Sequence, residues 1–194
     1  MKFSYLLLFV FIALTVSCAS KSTLLTDNVT TVPVDNAKVF KNKKLFTPSV
    51  LINIDTTSLY EEIYSYKSTT EKSYERADAV NWESDKRWTK YYKFYSNGNV
   101  NSFYFPYGET VTTESLNPNY KGSRGIQFLK DGKHTIQVYA RTGYGFTPTY
   151  GLYTYYAKVE NDTLYLKSTR SLNSVYVYVK RKLPEGYTEY KTDW

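Results

Sequence analysis

The chain of 194 residues has one cysteine, one histidine and one methionine. A single thiol excludes an intramolecular disulfide, a thiolate zinc cluster and a CxxC redox pair, and a single imidazole excludes a two-histidine metal site. No cofactor and no metal is expected. The G-x-S-x-G elbow, the Walker loop, the G-x-G-x-x-G turn and the H-E-x-x-H helix are all absent, and the glycines around Gly143 and Gly145 lack the strand-to-helix setting of a phosphate loop. His134 with Glu109 or Glu114 is the one acid–base set to consider, and nothing in the sequence brings these residues together. No catalytic residue is assigned, and a non-enzymatic protein is expected. Apolar runs are also short. The longest, residues 3–16, is broken only by Ser4, Tyr5 and Thr15 and falls below the roughly 20 residues that span a bilayer.

What the chain does have is tyrosine and positive charge: 22 Tyr with 10 Phe and 3 Trp, and 25 Lys and Arg against 18 Asp and Glu, a formal charge of +7. That surplus favours anionic surfaces. Basic residues interleaved with aromatic ones also fit nucleic-acid binding, a partner not expected for an exported chain. Export is suggested by the first residues: a positive Met1-Lys2 start, the apolar run, then Ser17-Cys18-Ala19, where a secretory signal is cut. The segment Leu14-Thr15-Val16-Ser17-Cys18 resembles the lipobox of bacterial lipoproteins, with Thr15 where that pattern has leucine. The resemblance implies a signal peptide over 1–17 and a lipid on Cys18, the first mature residue. An ordinary signal peptide beside a free cysteine is the alternative. A multiply acylated cysteine would hold the protein on a membrane without a transmembrane helix.

Residues 18–46 have little periodicity and carry the basic run Lys41-Asn42-Lys43-Lys44, which reads as a tether. The domain proper is expected over 47–194. Within it, Ser58-Leu59-Tyr60-Glu61 fits a helix capping box, but the β-branched and tyrosine-rich content of 49–54 and 63–66 favours strands. Residues 67–88 read as a long polar loop. From residue 89 the segments 89–96, 99–105, 126–130, 133–141, 150–160, 163–170 and 174–182 are rich in Tyr, Phe, Val, Ile, Leu and Thr. Turn signals divide them at Asn97-Gly98, Asp131-Gly132 and Asn161-Asp162. Seven such strands and at least one earlier one predict an all-β fold, an antiparallel up-and-down barrel of about eight strands, closed because closure removes exposed edges.

Turn length fixes which side chains share a face. A two-residue Asn97-Gly98 loop places Tyr92, Phe94, Asn101, Phe103 and Phe105 on one face, and Tyr91 with Tyr104 on the other. A three-residue Lys130-Asp131-Gly132 loop sets Phe128 opposite His134 and Ile126 opposite Ile136. At the third turn Val159, Leu164, Ala157, Leu166, Tyr155 and Ser168 share a face, with Tyr156, Lys158, Tyr165 and Lys167 behind them. The last strand puts Val175, Val177 and Val179 inside and Tyr176, Tyr178 and Lys180 outside. The predicted interior site is therefore Tyr92, Phe94, Asn101, Phe103, Phe105, His134, Ile136, Tyr155, Ser168 and Arg170. An eight-stranded barrel is wide enough to be filled by side chains or to hold one small ligand, and both readings stand at this stage. The polar members favour a ligand or trapped water, since buried polar groups need partners. The expected mouth lies between the loops at 67–88, 107–125 and 142–149.

The run Lys90-Tyr91-Tyr92-Lys93-Phe94-Tyr95-Ser96-Asn97-Gly98-Asn99-Val100, with Asn117-Pro118-Asn119, Gly125-Ile126-Gln127-Phe128 and the Asn161-Asp162-Thr163-Leu164 turn, resembles the small lipocalin-like β-barrel lipoproteins of bacterial envelopes over about residues 50–182. The Gly-x-Trp signature of lipocalins proper is absent. The resemblance implies a lipid-anchored barrel at the bacterial outer membrane that holds a small apolar or amphipathic ligand. The alternative is an assembly protein that docks an envelope partner through outward tyrosines such as Tyr91, Tyr104 and Tyr178.

Overall fold

The computed structural model describes residues 21–70, 72–77, 87–143, 148–171 and 173–194. Eight strands form a closed antiparallel barrel: β3 (Ser58–Lys67), β4 (Trp88–Phe94), β5 (Asn99–Pro106), β6 (Ser123–Lys130), β7 (Lys133–Arg141), β8 (Tyr150–Glu160), β9 (Thr163–Ser168) and β10 (Ser174–Lys182). Each pairs with its neighbour in the chain, and β10 closes on β3. The architecture is consistent with an all-β lipocalin-like barrel, as the alternation and turns predict. The capping-box signal at Ser58 gives way to strand, since β3 pairs on both sides.

The registers differ from expectation at two turns. In the first hairpin Tyr92 faces Ser102 and Phe94 faces Val100, so the loop is the three residues Ser96-Asn97-Gly98. A two-residue type I′ turn needs both central residues left-handed. Only Gly98 is, at φ +81°, while the Asn97 side chain accepts from Asn99 N at 3.1 Å and donates to Thr192 O at 2.9 Å. In the second hairpin Lys130 pairs with Lys133 and Gln127 with Ile136. Asp131 and Gly132 are both left-handed, at +51° and +71°, so this loop has two residues rather than three. The third turn is as expected, with Val159 opposite Leu164 and Tyr155 opposite Ser168.

These registers place a different set of residues inside. The interior cluster contains Tyr60, Tyr92, Phe94, Val100, Ile136, Val138, Tyr155, Leu164, Leu166 and Tyr178, with Leu51 and Ile54 plugging one end. Asn101, Phe103 and Phe105 face outward, contrary to expectation. Phe103 and Phe105 are buried against Leu116, Val111, Leu183 and Tyr187. The last strand is inverted too. Tyr176 and Tyr178 point inward with Leu166 and Leu164, and Val175 and Val177 lie outside with Tyr66, Tyr74 and Tyr165.

The reason is that the outer wall is itself covered. The hairpin of β1 (Ser22–Leu24) and β2 (Thr31–Pro33) and the four-residue helix α1 (Asn36–Val39) lead into Phe40, which packs with Ile126, Phe128, Tyr139 and Trp194. Residues 21–46, expected as a tether, therefore lie on the barrel, with Val32 and Phe40 fully buried. From the other terminus the Trp194 indole donates to Gly125 O at 2.8 Å and stacks under the Arg124 guanidinium at 5.0 Å, while Lys43 Nζ donates to Trp194 O. Two lysines on the outer wall are buried and fully engaged. Lys93 Nζ donates to Thr56 O and to Phe94 O at 2.8 Å. Lys167 Nζ donates to Ser68 Oγ at 2.8 Å, Thr70 O at 2.6 Å and Ser73 O. Buried charge is tolerated because backbone carbonyls replace water around each ammonium, and each lysine thereby fixes an outer segment to the wall.

Trp194→Ala removes a buried aromatic, its hydrogen bond and its cation–π partner. It is expected to lower the unfolding free energy by about 3 kcal/mol or more, a change that denaturant unfolding reads directly.

Candidate functional site

The two ends of the barrel differ. At one end the connections are the tight turns at 96–98, 131–132 and 161–162, and Leu51 and Ile54 close it. The opposite end carries the long connections at 68–87, 107–122 and 142–149 and the 169–173 loop, where the loop lengths predicted the mouth. From the closed end the axis is filled by aromatic rings in contact. Tyr60 and Phe94 are 5.3 Å apart, Phe94 and Tyr92 6.1 Å, and Tyr92 and Tyr178 5.2 Å. The closed half is thus packed, and Tyr60 Oη accepts from Asp55 N of the plug at 2.8 Å.

Toward the open end the inward side chains reach solvent. Tyr104, opposite Lys90 in the ladder, is 51% exposed. Lys90, Tyr153 and Tyr176 are half-buried. The Lys90 ammonium sits among tyrosines, 4.8 Å from the Tyr92 ring centre, 5.3 Å from Tyr104 and 5.6 Å from Tyr155. None of the salt bridges among the described residues includes it. Burial opposes its charge, but the surrounding oxygens of Tyr104, Tyr92, Tyr178 and Tyr155 outweigh that and hold its pKa above the ordinary lysine range. Burial drives Tyr92, Tyr155, Tyr176 and Tyr178 above the usual tyrosine range, so these hydroxyls stay protonated. Tyr178 Oη donates to Glu62 Oε2 at 3.0 Å, Tyr155 meets Tyr176 edge to face at 6.1 Å, and the Arg170 guanidinium lies 4.8 Å over Tyr153. Among the described residues this end carries Lys90, Arg170, the Glu62 carboxylate and Lys67, whose Nζ donates to Ser174 Oγ at 2.6 Å, with tyrosine rings around them.

The residues expected to form one interior site are thus divided. Tyr92 and Tyr155 line the approach to the mouth. Ser168 pairs with Tyr155 in the ladder, and its Oγ accepts from Arg170 N at 3.2 Å and Ser171 N at 3.0 Å, holding Arg170 at the rim. Phe94 and Ile136 belong to the packed interior, and Asn101, Phe103 and Phe105 to the outer wall. His134 faces inward beside the closed end, opposite Leu129, with Nε2 3.1 Å from Gln127 Oε1. Glu109 and Glu114 are at the other end, in the β5–β6 connection. There they line, with Thr112, Ser115, Asn117, Tyr120 and Lys121, a shallow outer groove of about 510 Å³. Tyr104 and Tyr178 face inward, and Tyr91, half-buried, donates to Glu61 Oε1 at 3.3 Å. The expected outward tyrosine face does not form from these three. Cys18, residues 1–17 and most of the turn at Gly145 lie outside the described residues.

Lys90 and Glu62 were missed by sequence reasoning. The signal that could have found Lys90 is its parity, two residues before the inward Tyr92. Compared with protein-family models, curated proteins and solved structures, the chain matches none.

Burial lowers the His134 pKa from 6.5 to about 4. A base whose folded pKa is depressed binds its proton more readily when unfolded. Stability is then full above pH 6.5 and falls as pH drops toward 4, by up to about 3 kcal/mol. His134→Gln is expected to flatten this part of the pH–stability curve, as measured by urea unfolding across that window.

Proposed function

We propose that the chain is a lipid-anchored binding protein of the bacterial cell envelope, held at the membrane through Cys18, and that its barrel takes a small amphipathic anion at the open end. The observation that carries this reading is Lys90: an ammonium facing the lumen, flanked by tyrosine rings and outside any ion pair among the described residues. An apolar or aromatic body would lie against Tyr104, Tyr153, Tyr155 and Tyr176 while its carboxylate or similar head meets the ammonium. Such sites combine mostly apolar walls with a few polar groups that fix orientation. Arg170 adds a second positive group at the rim, so an anionic head is favoured although Glu62 is nearby. The packed closed half supports a shallow site rather than a deep lumen. The lipobox resemblance and the positive charge of the chain support the envelope location.

The test compares a fluorescent polyene carboxylate with its methyl ester. A charge-assisted hydrogen bond contributes about 1.5–3 kcal/mol, so the acid should bind roughly ten- to hundredfold more tightly. Lys90→Met should erase the difference without changing the melting temperature by more than a few degrees. Equal affinity for acid and ester in the unmodified protein would sink the proposal.

A further inference from the structure

We infer that the hairpin of β1 and β2 with helix α1 forms a contact surface for an anionic lipid bilayer, so that the barrel rests on the membrane by this wall with its open end free. The inference rests on the reading of Cys18 as the lipid attachment site.

Two residues, Ala19 and Ser20, separate Cys18 from Lys21, a span of at most about 11 Å even when fully extended. From Lys21 onward the chain is fixed to the barrel. Lys21 O accepts from Val34 N at 2.9 Å, Thr23 pairs with Val32, and Val32 is buried. A lipid on Cys18 would therefore bring this wall against the bilayer instead of suspending the domain from a long leash. The chemistry exposed there suits that position. All three residues of β1 are exposed. Leu24, Val29 and Val34 are 56%, 80% and 59% exposed, although each is aliphatic. Along the same segment Lys21, Lys38, Lys41 and Lys44 are exposed and are absent from the ion pairs of the described residues. The two acids of the segment are tied into local structure. Asp27 accepts from Val29 N at 3.0 Å and Thr30 N at 2.8 Å, and Asp35 caps α1 through Lys38 N at 2.9 Å. Aliphatic side chains flanked by lysines form the pattern that settles at the boundary between headgroups and acyl chains, strengthened by anionic lipid.

The experiment uses the lipidated protein purified from membranes and reconstituted into phosphatidylethanolamine vesicles containing phosphatidylglycerol. With the thiol of Cys18 consumed by the lipid, an introduced cysteine is the one free thiol of the chain. Spin labels are placed at Leu24→Cys, Val29→Cys and Val34→Cys, with Thr69→Cys, exposed in the connection that follows β3 at the open end, as the comparison. Collision with oxygen, which partitions into lipid, should dominate at the first three positions, and collision with a water-soluble nickel chelate at Thr69. Replacing Lys21, Lys38, Lys41 and Lys44 by Gln should shift the three labels toward water. Labels at 24, 29 and 34 that are as water-accessible as the one at 69 would overturn the inference while leaving the anchor intact. So would spin–spin broadening among them, which would mark a second copy pairing along β1. A mature mass without acyl chains would remove the anchor and this inference together.

Discussion

The structure depends on burial of the barrel wall from both sides. Ile126, Phe128 and Tyr139 on one part of the wall, Phe103 and Phe105 on another, and Val175 and Val177 on a third are as deeply buried as the side chains of the lumen. Each group is covered by a different piece of chain. Residues 21–57 and the tail from 183 to 194 cross β5, β6 and β7, and the segment after β3 covers β10. The barrel has in effect an inner core and an incomplete outer one. Burying both faces raises the apolar area removed from water, at about 25 cal/mol per Å². Polar groups under the straps lose water, and Lys93 and Lys167 replace it with carbonyl oxygens, whereas the side chains of Asn99 and Asn101 are buried without a hydrogen-bond partner.

This arrangement frees the interior for tyrosine. With aliphatic and phenylalanine side chains supplying much of the outer core, the lumen can carry large rings whose hydroxyls remain available. Tyr60 uses its hydroxyl to hold the plug, and Tyr178 uses its own to orient Glu62. Around Lys90 the rings provide electron-rich faces for a cation, an interaction strengthened where water is scarce. The filled closed half and accessible open half make a floor and a mouth, and the inward tyrosines belong to both.

Strand number, antiparallel order, closure and the position of the mouth were legible in the sequence because they follow from turn signals and loop lengths, which are local. The third hairpin was legible to the residue, since Asn161-Asp162 joins strands whose outer face carries Lys158 and Lys167. The faces of the first two hairpins were not. Assigning the apolar side of each strand to the interior presumes a polar exterior, and Phe105, Phe128 and Val177 break that presumption because of segments far away in sequence. Turn type erred for a related reason: Asn97 is held out of the left-handed region by bonds that include the tail at Thr192. Residues 21–46 looked like a spacer because three-residue strands and a four-residue helix leave no periodicity to read. Lys90 shares the parity of Tyr92 and Phe94, whose inward placement was read correctly, and it was passed over because a lysine on a strand reads as an outward residue.

The central claim is that straps and barrel are one cooperative unit. Native-state hydrogen exchange read by residue is the most direct measurement. The amides of β2, of Phe40 and Phe46, and of the segment around Thr192 should share the slow, globally limited exchange of β5, β6 and β7. Rapid exchange through 31–46 and 187–194 over a fully protected barrel would contradict the account, because the outer core would then be a loose covering and the wall would stand without it.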